Sequence, residues 1–160
     1  MDSSHQPEIN VEKIIREYIP QVIHLSLATV RDNAPWVCEV HFAYDDDLNL
    51  YFRSLTSRRH STEIAENPKV AGNIVKQHGL NESAVGVYFE GTAHILESKD
   101  ELRIASECII ERLNADDKIL EEAKRDDGHK FYKITVENWY VFGRFGLPHG
   151  KKYKLNWKSK

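Results

Sequence analysis

The spacing of apolar residues changes along the chain, and each change marks a predicted element. Val11, Ile14, Ile15 and Tyr18 share one helical face behind Asn10, a favoured N-cap, so a helix is predicted over 10–18 with Pro20 ending it. From Val22 to Val30 the period drops to two. Ile23, Leu25, Leu27 and Thr29 face one way, and His24, Ser26 and Ala28 the other. Asp32-Asn33 is a turn signal, and 35–43 reads as the returning strand of a hairpin. Asp45-Asp46-Asp47 turns the chain again into a third strand, 48–53. A short helix follows at 61–66, closed by Asn67-Pro68, because a residue before proline is pushed out of the helical region.

Strands are predicted next at 69–76 and 84–96, separated by a polar loop holding Gly79 and Asn81. Ser98-Lys99-Asp100-Glu101 has the spacing of a capping box. Behind it Leu102, Ala105, Ile109 and Leu113 keep helical spacing. A mostly charged helix is expected over 116–125, then strands at 129–136 and 138–143 and a Gly-rich basic tail. Short strands joined by tight turns predict a mainly β fold: a closed or nearly closed antiparallel barrel with helices packed outside. The 160 residues fit one domain, 1–160, with 98–127 as a helical insertion.

Charge and composition narrow the function classes. The net charge is −3, and the tail lysines Lys151, Lys152, Lys154, Lys158 and Lys160 are offset by the acidic run from Asp116 to Asp127. A nucleic-acid surface needs clustered excess Lys/Arg, so no nucleic-acid partner is expected. Cys38 and Cys108 are far apart and form no disulfide framework, which favours a reducing cytoplasm. The first eight residues lack the apolar core of a signal peptide, and no apolar run is long enough to span a bilayer. None of the eight histidines falls in a His-x-x-x-His or His-Glu-x-x-His spacing, so no metal site is expected. No Gly-x-Ser-x-Gly elbow argues for a hydrolase, and no Gly-x-Gly-x-x-Gly or P-loop argues for a nucleotide fold. Trp36 and Trp139, in predicted strands, are expected to be core residues.

The segment richest in chemistry runs from Ser54 to Ile64, where a strand gives way to a helix. Ser54, Thr56, Ser57, Arg58, Arg59 and His60 put three hydroxyls, two guanidiniums and an imidazole into seven residues. A helix N-terminus offers unpaired N–H groups and partial positive charge, and arginine binds phosphate bidentately. The segment therefore suits a phosphate monoester. A capped helix beside a solvated basic turn fits the same residues.

Three stretches carry a resemblance. "HLSLATVRDNAPWVCEVHFAYDD", "LYFRSLTSRRHSTEIAENPKVAGNI" and "GVYFEGTAHIL" resemble successive core strands of the pyridoxamine 5′-phosphate oxidase-like FMN-binding split barrels, and the tail "GKKYKLNW" resembles that of a bacterial subfamily. The similarity covers about residues 20–97 and 129–157. It implies an antiparallel split β-barrel, a homodimer with FMN at its interface, and flavin-dependent hydride or electron transfer between a small molecule and, as one option, a nicotinamide reductant. On this chain it puts Ser54 against the flavin and Thr56, Ser57, Arg58, Arg59 and His60 around the phosphate. Val37, Cys38, Glu39 and Val40 fall on the strand beside the isoalloxazine ring, and Lys151, Lys152 and Trp157 on a tail that completes the partner's site.

The chain also departs from the pattern. The 35–43 stretch has no Arg or Lys, His60 stands where many relatives place Lys, and Gly86 where the oxidase has Gln. The oxidase's C-terminal substrate residues are not recognisable in "FGLPHGKKYKLNW", so oxidation of pyridoxamine phosphate itself is not expected. A deazaflavin-dependent reductase, a haem-binding barrel using His41 or His149, and a non-catalytic flavin carrier are the alternatives the resemblance leaves open. No catalytic acid or base is assigned.

Overall fold

The structure, a computed structural model, describes residues 9–143 and 152–157. His149 and Lys151 therefore lie outside the described residues. The helix α1 (Val11–Tyr18) starts where expected, with the Asn10 side chain accepting from the backbone N–H of Lys13 at 2.9 Å. A short 3₁₀ turn at Ile19–Gln21 follows, with Pro20 in its first turn.

Strands β1 (His24–Arg31) and β2 (Ala34–His41) form a hairpin whose two-residue loop is Asp32-Asn33. Both loop residues have positive φ, 51° and 59°. Such a loop matches the right-handed twist of its strands, and Asp and Asn tolerate that conformation. After the two-residue β3 (Ala43–Tyr44) come β4 (Leu50–Ser54), α2 (Arg59–Glu66), β5 (Lys69–Ile74) and β6 (Gly86–Ile95). The insertion holds α3 (Lys99–Leu113) and α4 (Ile119–Glu122), and the chain returns as β7 (Lys130–Phe142) and β8 (Lys152–Asn156).

Among the described residues, all eight strands belong to one antiparallel sheet in the order β2-β1-β5-β6-β7-β4-β3, with β8 paired to β7. The sheet curls until β2 and β4 touch, without hydrogen bonds closing the seam. That is a split barrel. Its core alternates as the period of two requires: Leu25, Leu27 and Thr29 point inward from β1, and Phe52, Phe89 and Trp139 fill the centre. Ile23, grouped with the inward residues by periodicity, lies just before β1 and is 55% exposed.

The structure differs from the sequence-based expectation in three further elements. The two strands expected at 129–136 and 138–143 are one thirteen-residue strand, whose first part pairs with β4 and whose last part pairs with β8. The pattern break at Glu137 is a β-bulge: Glu90 sits opposite Asn138 and Gly91 opposite Val136, leaving Glu137 as the extra residue. A Cβ on Gly91 would lie 2.1 Å from the carbonyl oxygen of Thr135, so only glycine fits beside the bulge. The tail contains β8, a polar strand that sequence periodicity did not mark. The helix expected over 116–125 is only the four-residue α4, as a run with few apolar residues has little to bury.

The insertion has its own small core, in which Ala105, Ile109 and Ile119 pack on Tyr51, Leu96 and Phe131 from the outside of the barrel. Arg112 fastens it. Its guanidinium donates to the carbonyls of Phe42 (3.1 Å), Ile19 (3.0 Å) and Val22, and lies 4.9 and 4.8 Å from the ring centres of Phe42 and Tyr44. No helix among the described residues is long and apolar enough to cross a membrane.

Candidate functional site

Strand β4 ends at Ser54, a tight turn follows, and α2 begins at Arg59. Arg58 is the N-cap in extended backbone, and no side chain caps the helix, so its first-turn N–H groups stay open. Alongside runs β2, the edge strand, largely exposed on both faces. Between them lies a cleft of about 840 Å³. Cys38, Glu39 and Val40 of β2 line it, as do Ser54, Arg58, Arg59 and His60. The opposite wall comes from the insertion and the residue before β7: Ile109, Leu113, Ala115, Glu122 and His129.

Two polar networks hold the near wall. The buried carboxylate of Glu63 accepts from the Thr29 hydroxyl and from Arg59 Nε at 2.7 Å. Those two hydrogen bonds, led by Thr29, hold Glu63 below the usual carboxylate range. Arg59 in turn lies 4.3 Å from the ring centre of Trp36. Trp36 was expected in the core, but it is 40% exposed and serves as a plate under this guanidinium. An edge strand has no layer beyond it to bury such a ring.

The second network runs through His60. Its Nε2 is 2.7 Å from Ser54 Oγ and its Nδ1 3.3 Å from Cys38 Sγ, so both ring nitrogens are occupied. Burial, then the positive charge of Arg58, pushes His60 below its ordinary 6.5, with Glu63 opposing. Burial, and next the Glu63 charge, raises Cys38. At neutral pH the pair is an uncharged imidazole beside a thiol, and the permanent cations of this wall are Arg58 and Arg59.

Across the cleft a third network appears that sequence reasoning missed. Arg53 Nη2 donates to Glu122 Oε2 at 2.5 Å, while Glu122 Oε1 accepts from the backbone N–H of His129 (3.3 Å) and lies 2.9 Å from its Nδ1. The hydrogen bonds from Arg53 and then His129 bring Glu122 down to about 2. Arg53 was legible in principle, being the one charge in the otherwise buried "LYFRS" of β4. Glu122 and His129 were not, since seven residues and a turn separate them.

Of the sequence-predicted residues, Cys38, Glu39, Val40, Ser54, Arg58, Arg59 and His60 are thus brought together. Val37 does not line the cleft and is 60% exposed. Thr56 and Ser57 are exposed in the turn and do not line the cleft. Lys152 lies in β8, 5.1 Å from the ring centre of Tyr88, also outside the cleft.

Comparison with known proteins places this architecture. The model of the pyridoxamine 5′-phosphate oxidase family matches residues 11–143. The chain belongs to this family. No curated protein matches it. Among solved structures, the conserved protein Rv2991 of Mycobacterium tuberculosis superposes with a TM-score of 0.70 at 19% identity, covering 89% of this chain and 92% of that one. HutZ, the haem storage protein of Vibrio cholerae, gives 0.65 at 19% identity over 81% and 92%. A haem-binding protein of Mycobacterium smegmatis gives 0.68 at 17% over 87% of this chain and 55% of that chain. These likenesses establish the split-barrel fold.

Proposed function

We propose that the cleft binds FMN and that the protein is a flavin-dependent oxidoreductase acting on a small molecule. The observation that carries this reading is the uncapped N-terminus of α2, with Arg58 at its entrance free of ion pairs among the described residues, opening into the same cleft as the bare edge of β2. A phosphate ester suits the first: open N–H groups, partial positive charge and a guanidinium converge there. A flat heteroaromatic ring suits the second, because an unpaired strand edge supplies N–H and C=O groups to a ring's polar rim. FMN, once bound, would supply two-electron hydride chemistry. The chain's own residues hold the phosphate through Arg58 and Arg59, and bury Ser54 and His60 behind it. The exposed Trp36 and Val37 of β2 favour a second copy of the chain completing the site.

Haem is the second reading, because His41 lines the same cleft with no hydrogen-bond partner among the described residues, and two structural neighbours are a haem storage and a haem-binding protein. One experiment separates them. The purified protein is scanned in the visible range, then rescanned after excess FMN or haem is added and the unbound fraction removed. A retained flavin spectrum supports the FMN reading. A Soret band in protein that ignores FMN replaces it with haem, and retention of a deazaflavin alone moves the cofactor but keeps the reductase class. Sedimentation of the loaded protein tests the dimer.

A further inference from the structure

The insertion does more than pad the barrel. It delivers Glu122, on α4, and His129, just after it, to the wall opposite the phosphate segment. We propose that His129 is the proton-transfer residue of this cleft, with Glu122 and Arg53 as its positioning residues. The proposal rests on the flavin-dependent reading above.

Three observations support it. First, Glu122 Oε1 is 2.9 Å from His129 Nδ1 and also accepts from the His129 backbone N–H. An ionised carboxylate can only accept, so Nδ1 carries the hydrogen and Nε2 is left as the free proton site. A carboxylate that fixes an imidazole tautomer and stabilises the imidazolium is the recurring support for acid–base histidines. Second, the other oxygen of Glu122 is held by Arg53, whose guanidinium lies 5.4 Å from the ring centre of Phe131. The carboxylate is thereby fixed in place as well as charged. Third, the other cleft imidazole with a network of its own, His60, has both nitrogens occupied, by Ser54 and Cys38. His129 has Nε2 without a partner among the described residues, and it lines the same cleft as Arg58 and the edge of β2.

The wall beside His129 is apolar, through Ile109, Leu113 and Ala115. The chemistry it fits is an aromatic acceptor whose carbonyl oxygen gains a proton as it is reduced. The balance is simple. A nicotinamide reductant is oxidised and its hydride equivalent, two electrons and one proton, reaches the acceptor; the Nε2–H bond of the imidazolium breaks as the acceptor's other oxygen forms its O–H bond to complete the hydroquinone, and a solvent proton restores Nε2–H.

The test combines a spectroscopic and a kinetic readout, with menadione as acceptor and NADPH as reductant. In ¹⁵N-labelled protein without cofactor, long-range ¹H–¹⁵N correlation is expected to show neutral His129 protonated at Nδ1. In Glu122→Gln, whose amide can donate to Nδ1, the tautomer is expected to move to Nε2–H. On FMN-loaded protein, His129→Gln is expected to lower turnover about 100-fold, at the low end for a lost acid–base group, with FMN affinity within twofold of wild type. Glu122→Gln is expected to lower it too, and Glu122→Asp to recover part of the loss. His129 protonated at Nε2 in the wild type overturns the proposal. So does His129→Gln turning over within threefold of wild type, or a wild type that binds FMN and reduces no menadione. A Soret band on haem addition that vanishes in His129→Gln makes the residue an iron ligand and overturns its proton role. Wild-type protein that takes up no FMN defeats the functional reading, and this proposal with it.

Discussion

Arg112 links the insertion to the barrel, and its replacement gives a quantitative check on that link. Its guanidinium serves three backbone carbonyls, of Ile19, Val22 and Phe42, which come from the 3₁₀ turn and from the segments that flank β1 and β2. An intramolecular hydrogen bond contributes about 1 kcal/mol net, and those to a charged group somewhat more. Arg112→Ala frees all three carbonyls and removes the contacts with Phe42 and Tyr44. Water reaches part of this half-buried site, which offsets part of the loss, so a destabilisation of about 3 kcal/mol is expected. For a chain of this size that lowers Tm by about 6–12 °C. Arg112→Lys keeps the charge but loses the planar fork, and is expected to fall between. Far-UV circular dichroism in thermal and urea melts measures it, with an unchanged m-value showing that the unfolding unit is the same. A Tm within 2 °C of wild type for Arg112→Ala would refute the clamp. The insertion would then be held by its apolar contacts and the Arg53–Glu122 pair.

Replacing Arg58 and Arg59 together by Ala is expected to weaken FMN binding by about 1.5–3 kcal/mol per lost charge-assisted contact while leaving riboflavin nearly unchanged, in parallel fluorescence titrations. Equal losses for both ligands would remove the phosphate from this segment. Gly91→Ala is expected to destabilise by more than about 2 kcal/mol in urea melts, because its Cβ would fall 2.1 Å from the Thr135 carbonyl. A neutral result there would mean that the bulge relaxes freely. His60, held below its ordinary 6.5 in the folded state, resists a proton that the unfolded chain accepts. Stability is therefore full above pH 6.5 and declines as pH falls from there through the folded value. His60→Asn is expected to flatten that part of the stability–pH curve, and an unchanged slope would place the titration elsewhere.

Much of this protein was written locally. The period-two runs around Leu25 and Leu27, the Asp32-Asn33 loop, the Ser98 capping box and the strand-to-helix junction at Ser54–His60 each depend on residues within a few positions of one another, and each forms as its sequence dictates. The quoted core-strand motifs added the family, because their order along the chain is itself information. Other features were settled only in three dimensions. Glu137 reads as a strand break, yet the neighbouring strand supplies Gly91 and turns the break into a bulge within a continuous β7. Trp36 reads as core, yet it falls on the sheet's edge and has no second layer to cover it. The pairing of Arg53 with Glu122 spans 69 positions, and that of Thr29 with Glu63 spans 34. A sequence records which groups can ionise, donate or bury; it does not record which of them the curling of a sheet will bring within 3 Å. The phosphate-type segment was local and therefore legible, whereas the wall facing it was assembled by the docking of α3 and α4 through Arg112 and the small outer core.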